Sequence, residues 1–287
     1  MTLEQFYQTY PQQTKKINGQ KFVYRYFKNE NAKSTLVLLT GGIGLSDLFY
    51  NHFHRFAQDF SVITFDYLVC YPTMAELSDA MSELFKELGI KVWLVGQSLG
   101  GATAQIFAKR HPECVEGLVL SNTVSLQNSG GSAEYFAGMK ERQTKSRKMI
   151  KWMPFGIVKN AMMKAINAKI EKLPEEGKAE FAQMVVSVPK MLTKKYELHM
   201  IDMLLDCENH LGMEKKDFEF LEDRVLLILA DDDETFTAEA REQLIEIMTK
   251  PTTVKDMGGG HLGALMDIEN YAETVINYIK ERTKLCI

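Results

Sequence analysis

Short apolar runs recur along the chain at Leu36 to Leu39, Val62 to Phe65, Val92 to Val95, Val119-Leu120 and Val225 to Ala230. They are too short for helices of ordinary length, and their unbroken apolar character is that of strands covered on both faces. Thr252 to Lys255 predicts one more strand. Between the runs the spacing changes to a helical one. Met74, Leu77, Met81, Leu84, Phe85 and Leu88 form a single stripe, and Thr73-x-x-Glu76 in front of it reads as a capping box. Ala102 to Arg110 predicts another helix. Strands and helices alternate from about Lys21 to Thr123 and again from about Phe218. That order predicts an α/β fold: a mostly parallel central sheet covered by helices.

The stretch between is of another kind. From about Ser125 to Glu214 only helical spacing is found, with Val158, Met162, Ile166 and Ile170 as one stripe and Phe181, Met184, Val185 and Val188 as another. Pro154, Pro174 and Pro189 divide it into several helices. The organisation expected is therefore a core of residues 1–124 and 215–287, with 125–214 inserted as a helical lid. The lid carries Met149, Met153, Met162, Met163, Met184, Met191, Met200 and Met203. Such side chains suit a flexible acyl group, and equally fill gaps between lid helices. Lys140, Arg142, Lys145, Arg147, Lys148 and Lys151 read as a solvated helix face, with steering of an anionic substrate or contact with a membrane surface as the alternatives.

Candidate chemistry concentrates at Gly96-Gln97-Ser98-Leu99-Gly100, between a predicted strand and a predicted helix. A serine on so tight a turn is a nucleophile elbow, and glycines at 96 and 100 remove side chains that would collide there. The N–H of Leu99 then lies at a helix N-terminus, where unpaired amides favour developing negative charge. Downstream, Ala230 leads into Asp231, Asp232 and Asp233, and His261 follows Gly258-Gly259-Gly260. The order Ser, Asp, His is the one this elbow requires. Among the other histidines, His111 reads as a cap on the helix after the elbow, while His52, His54, His199 and His210 fall outside the order.

In these motifs the chain resembles the α/β-hydrolase superfamily, in its lidded serine-hydrolase branch, over about residues 20 to 125 and 215 to 287. The resemblance implies Ser98 as nucleophile, His261 as general base and Asp233 as acid, three positions after the small residue Ala230. Asp231 and Asp232 stay open as alternatives. It also implies a second oxyanion donor after the strand Leu36 to Leu39, where Thr40-Gly41-Gly42-Ile43-Gly44 stands. The backbone N–H of Gly42 takes that role beside that of Leu99. A dinucleotide-binding loop is the rival reading of Gly42-x-Gly44, with Asp66 at the end of the next strand. It fails at the third glycine, where Asp47 stands. Relatives commonly have a longer loop after the Asp66 strand, so this chain's quick passage through Leu68 to Pro72 is expected to alter one wall of the pocket.

Composition narrows the setting. The 287 residues carry a net charge of −4, which gives no electrostatic case for nucleic acid. No stretch is apolar enough to span a bilayer, and the N-terminus has no signal-peptide pattern. Cys70, Cys114, Cys207 and Cys286 are too scattered for a zinc site or a disulfide scaffold, which points to the cytoplasm. The expected function is a serine hydrolase that cleaves a carboxylic ester or a related acyl bond (thioester, lactone, or carbon-carbon bond beside a ketone) through an acyl-enzyme. Its partner is a small molecule with an apolar or acyl group, and neither metal nor organic cofactor is required. The alternative is a ligand receptor or scaffold that keeps the fold without the chemistry.

Overall fold

The structure is a computed structural model, and it describes residues 1–171, 178, 182, 184–185, 188–255 and 257–284. Eight strands form one sheet: β1 (Gln12–Ile17), β2 (Gln20–Phe27), β3 (Thr35–Leu39), β4 (Ser61–Thr64), β5 (Val92–Gln97), β6 (Val115–Ser121), β7 (Val225–Ile228) and β8 (Thr252–Val254). Their order across the sheet is β1-β2-β4-β3-β5-β6-β7-β8. The β1–β2 and β2–β4 pairs are antiparallel, and every pair from β4 to β8 is parallel. The chain runs from β3 outward to β4 and then back across to β5. The carboxyl ends of β3 and β5 therefore flank a point where the winding reverses, the place where such sheets open a crevice.

Nine helices are used below: α1 (Leu3–Thr9), α2 (Tyr50–Phe56), α3 (Met74–Leu88), α4 (Leu99–Arg110), α5 (Gly130–Trp152), α6 (Phe155–Glu171), α7 (Lys194–Asp206), α8 (Ala238–Ile247) and α9 (Ile268–Lys284). Alternate strand residues feed two cores, as the pleat requires. Val37, Leu39 and Leu94 pack with Leu77 and Phe85 of α3 and Phe107 of α4. Leu36, Leu38 and Val95 pack on the other face with Phe53 of α2 and Val275 and Ile279 of α9. Burial on both faces explains why these strands carry no polar alternation.

The predicted stripe of α3 is buried from Met74 to Phe85. Its start departs from a capping box. Thr73 Oγ1 does accept the Glu76 N–H at 3.2 Å, but the Glu76 carboxylate takes the Thr73 hydroxyl instead of the Thr73 N–H. Between β6 and β7 the described elements are helices, without a strand. Pro154 does separate α5 from α6, whereas Pro189 sits in the first turn of a short helix, Val188–Met191, where proline is tolerated. Pro174 and Phe181 lie outside the described residues. Met184, Met200 and Met203 are buried in the core.

Two N-terminal elements were not expected. Helix α1 is closed by a capping box on Thr2. Strand β1 pairs with β2 through Asn18-Gly19, whose positive φ angles of 49° and 78° suit a two-residue hairpin.

Candidate active site

Ser98 stands between the end of β5 and the start of α4 with φ 54° and ψ −118°, a left-handed region costly for any residue with a side chain. Its surroundings impose that shape. A Cβ on Gly96 would lie 2.3 Å from the Gly100 carbonyl oxygen, and one on Gly100 would lie 1.9 Å from that of Leu39. Hydrogen bonds hold the strained turn: Ser98 N–H donates to Ser121 O at 3.0 Å, and Thr123 Oγ1 donates to Ser98 O at 2.7 Å.

His261 Nε2 lies 3.0 Å from Ser98 Oγ, and its Nδ1 lies 3.0 Å from Asp233 Oδ2. A carboxylate only accepts, so Nδ1 carries the proton and Nε2 is left to accept from the serine hydroxyl. The Asp233 side chain has no exposed surface, while that of His261 is 22% exposed. Burial alone pushes the Asp233 carboxyl up. Hydrogen bonds from His261 and Thr235, with the charge of a protonated His261, outweigh it and hold the carboxyl below its ordinary value.

The three adjacent aspartates part ways. Asp233 Oδ1 accepts the Thr235 N–H at 2.7 Å while Oδ2 faces the imidazole. Asp232 Oδ1 accepts the Gly260 N–H at 3.0 Å. Asp231 is exposed to solvent. The alternatives open in the sequence are thus separated by direction.

Two residues that the sequence did not mark as functional grip the histidine loop. Gly258, Gly259 and Gly260 all have positive φ, so the loop has little stiffness of its own. Gln97 Nε2 donates to His261 O at 3.0 Å, and Asn122 Nδ2 donates to Gly260 O at 2.8 Å. Asn122 Oδ1 also accepts the Ala230 N–H at 2.8 Å. One side chain thereby ties the end of β6 to the strand end that leads to Asp233 and to the loop that carries His261. The faint signal for it was a polar pair, Ser121-Asn122, directly after the apolar run Leu118 to Leu120.

Leu99 opens α4, and its N–H, like that of Gly42, donates to no acceptor among the described residues. Gly41 packs against Ser98, where an added Cβ would come within 3.4 Å of the serine Cβ. Gly42 faces Leu204 of α7. The rival dinucleotide reading has no free acid: Asp66 accepts Ser46 N–H and Oγ at 2.8 and 2.7 Å, and Asp47 accepts the Tyr7 hydroxyl.

A cavity of about 30 Å³ opens on Ser98 and Leu99. Ala102 and Val124 form part of its wall, with Phe236 from the segment after β7. Tyr135, Phe136 and Met139 of α5, Leu204 of α7 and Cys207 complete it. The loop after β4, expected to alter one wall, contributes no residue to the lining; Tyr67 there is buried, with its hydroxyl against Thr40 O and Thr103 Oγ1. Phe236 packs edge-on to the His261 ring, with centroids 5.3 Å apart, and Tyr135 packs on Phe236 at 4.7 Å. Cys207 is no rival nucleophile. Burial pushes its thiol up to about 12, so it stays protonated.

The remaining histidines lie elsewhere. His111 pairs with Asp79 at 2.8 Å, His210 approaches Asp206, and His52 and His199 are buried away from Ser98. Among the described residues no group of three His, Cys, Asp or Glu side chains is placed to hold a metal ion.

Comparison with known proteins places the fold. Residues 34–266 match the family model described as alpha/beta hydrolase fold, and the chain belongs to that family. Among solved structures it is similar to a thermophilic esterase from Thermogutta terrifontis, at 15% identity and TM-score 0.70, covering 94% of this chain and 98% of the other. An enol-lactonase from Burkholderia xenovorans matches at 15% identity and TM-score 0.68, over 93% and 100% of the two chains. A haloalkane dehalogenase loop variant from Bradyrhizobium elkanii matches at 18% identity and TM-score 0.65, over 96% and 98%. A search of curated proteins returns no match. The three neighbours differ in the chemistry of their names, so likeness this remote carries the fold and leaves the substrate open.

Proposed function

We propose that the protein is a serine hydrolase that cleaves a carboxylic ester or a chemically related acyl bond. The observation that carries this reading is His261 bridging Ser98 and Asp233 at 3.0 Å on each side, with Ser98 held at φ 54°. In this mechanism Ser98 attacks the carbonyl as His261 takes its proton. Asp233 fixes the tautomer and stabilises the imidazolium that forms. The N–H groups of Gly42 and Leu99 hold the oxyanion, a donor of this kind being worth about 3 kcal/mol in the transition state. Collapse expels the leaving group with the proton returned by His261, which then activates water to release the acid.

Residues 125–214 act as the lid in this reading, since α5 and α7 supply Tyr135, Phe136, Met139 and Leu204 over the serine. The cavity beside Ser98 is small, about 30 Å³. Entry of an acyl group therefore displaces these side chains, and their apolar character favours an apolar acyl group. Unpaired Cys70, Cys114 and Cys207 support a cytoplasmic setting. No helix among the described residues is long and apolar enough to cross a membrane.

The test is a fluorophosphonate probe followed by peptide mapping. Ser98 should be labelled, and Ser98→Ala should lose both labelling and ester turnover, the latter by about a millionfold. An adduct elsewhere, or full turnover in the alanine variant, refutes the assignment. Inertness of the folded protein toward the probe favours the receptor alternative.

A further inference from the structure

Far along α5 from the Ser98 cavity, at the corner where α5 meets α6, the surface is unlike the rest of the molecule. Trp152 ends α5 with 84% of its surface exposed, whereas Trp93, the other tryptophan, is 2% exposed. Met149 and Ile157 are 50% and 55% exposed, and both line a mostly apolar groove of about 220 Å³ between the two helices, closed by Glu197 and Ile201 of α7. The next most exposed large hydrophobic residues among the described residues are Met1 and Tyr7, at 39% and 37%, near the N-terminus. Single exposed apolar side chains are ordinary, but a tryptophan grouped with two aliphatic side chains beside an open groove marks a contact surface.

The charge there is also reversed. Residues 140 to 164 hold eight lysines and arginines and one glutamate, in a chain whose net charge is −4. Lys140 and Arg147 are engaged with Glu208 and Asp202, and Lys145 pairs with Glu141 in the same helix. Lys148, Lys151 and Lys164 are exposed and meet no carboxylate among the described residues. At about 100° per residue, Lys145, Lys148, Met149 and Trp152 fall within one arc of α5 about 100° wide. On α6, Ile157, Ala161 and Lys164 share a face by the same spacing, and all are exposed. Lysine is depleted where proteins bury surface against one another, and it serves well where its stem lies along an apolar boundary with its ammonium in the headgroup layer. Tryptophan prefers the same layer.

We propose that the α5–α6 corner docks the protein on an anionic lipid surface. Trp152, Met149 and Ile157 enter the headgroup region, while Lys148, Lys151 and Lys164 meet the lipid phosphates and carboxylates. The association is peripheral and salt-sensitive.

The test adds the full chain to vesicles of phosphatidylcholine alone and of phosphatidylcholine with phosphatidylserine, reading co-sedimentation and tryptophan emission. Trp93 is already buried, so an emission shift reports Trp152. Binding should appear on the anionic vesicles only, with a blue shift that added salt reverses. Removing one lysine near such a surface is worth about fivefold, so Lys148→Gln with Lys151→Gln should lower partitioning about 25-fold. Trp152→Ala should lower it about tenfold or more and remove the shift. These side chains are exposed, so both variants should melt as the parent does. None of these readouts involves turnover, and Ser98→Ala should bind vesicles as the parent does; failure here is thus distinguishable from failure of the hydrolase reading. Absence of binding to either vesicle overturns the proposal, as does equal binding to both. A blue shift produced by protein concentration alone, with dimers in sedimentation, overturns it in favour of a second copy covering the corner.

Discussion

Replacing Asp233 with asparagine should disable the protein through a single proton. The backbone N–H of Thr235 reaches Asp233 Oδ1 at 2.7 Å, so in Asp233→Asn the amide oxygen stays on that donor. The amide nitrogen must then occupy the place of Oδ2, 3.0 Å from His261 Nδ1. Two N–H groups cannot face one another, so Nδ1 gives up its proton and accepts instead. The imidazole proton moves to Nε2, which now points a donor at Ser98 Oγ and can no longer take the serine proton. The same tautomer error in a serine protease costs about 10⁴ in kcat, or about 5.5 kcal/mol in the barrier. Asp232→Asn keeps an oxygen able to accept the Gly260 N–H, and Asp231→Asn changes an exposed side chain, so both should stay within a few-fold of the parent. The assay is kcat on one water-soluble ester for the three variants, with thermal melts to confirm folding. Near-parental turnover in a folded Asp233→Asn, or a collapse confined to either neighbour, would refute this assignment of the acid.

Asn122→Ala strands the buried Ala230 N–H and frees the Gly260 carbonyl, and should cost about 1–3 kcal/mol of stability. Because it loosens the base and leaves the cavity wall alone, kcat should drop about 10²-fold with KM held, and a rise in KM at constant kcat would contradict it. His52 is buried, and burial lowers its imidazole to about 4 against the opposing hydrogen bond to Ala264 O. The unfolded chain, near the ordinary value of 6.5, therefore takes the proton first, so stability is full above 6.5 and falls by about 3 kcal/mol as pH drops to about 4. Urea unfolding at pH 7 and pH 4.5 should show a smaller difference for His52→Asn than for the parent, and an equal one would refute the reasoning. Met139→Ala or Leu204→Ala should open the cavity of about 30 Å³ and move ester preference toward longer acyl groups; an unchanged chain-length profile would place the acyl group elsewhere.

Much of the frame was legible because its causes are local. An apolar run of strand length needs cover on both faces, and the residues read that way became β3, β4, β5, β6 and β7. The elbow is equally local, since glycines at 96 and 100 relieve collisions within one turn and with the neighbouring strand. β1 escaped because Gln12 to Ile17 is mostly polar and exposed, although Asn18-Gly19 held a hairpin signal. The capping box on Thr73 failed in half because the second bond depends on where one exposed carboxylate settles.

Residue type and order were enough to single out Ser98 and His261, while Asp233 rested on family resemblance, with Asp231 and Asp232 left open. Geometry had to come from the fold. Ser98 and His261 stand 163 positions apart, and only the parallel alignment of β5, β6, β7 and β8 brings their strand ends to one edge. The same alignment sets Asn122 under two loops, turns Asp231, Asp232 and Asp233 in separate directions, and closes α5 and α7 over the serine. A sequence carries short-range sterics and periodicity position by position, whereas a hydrogen bond between distant loops exists only once the packed strands have fixed where those loops end.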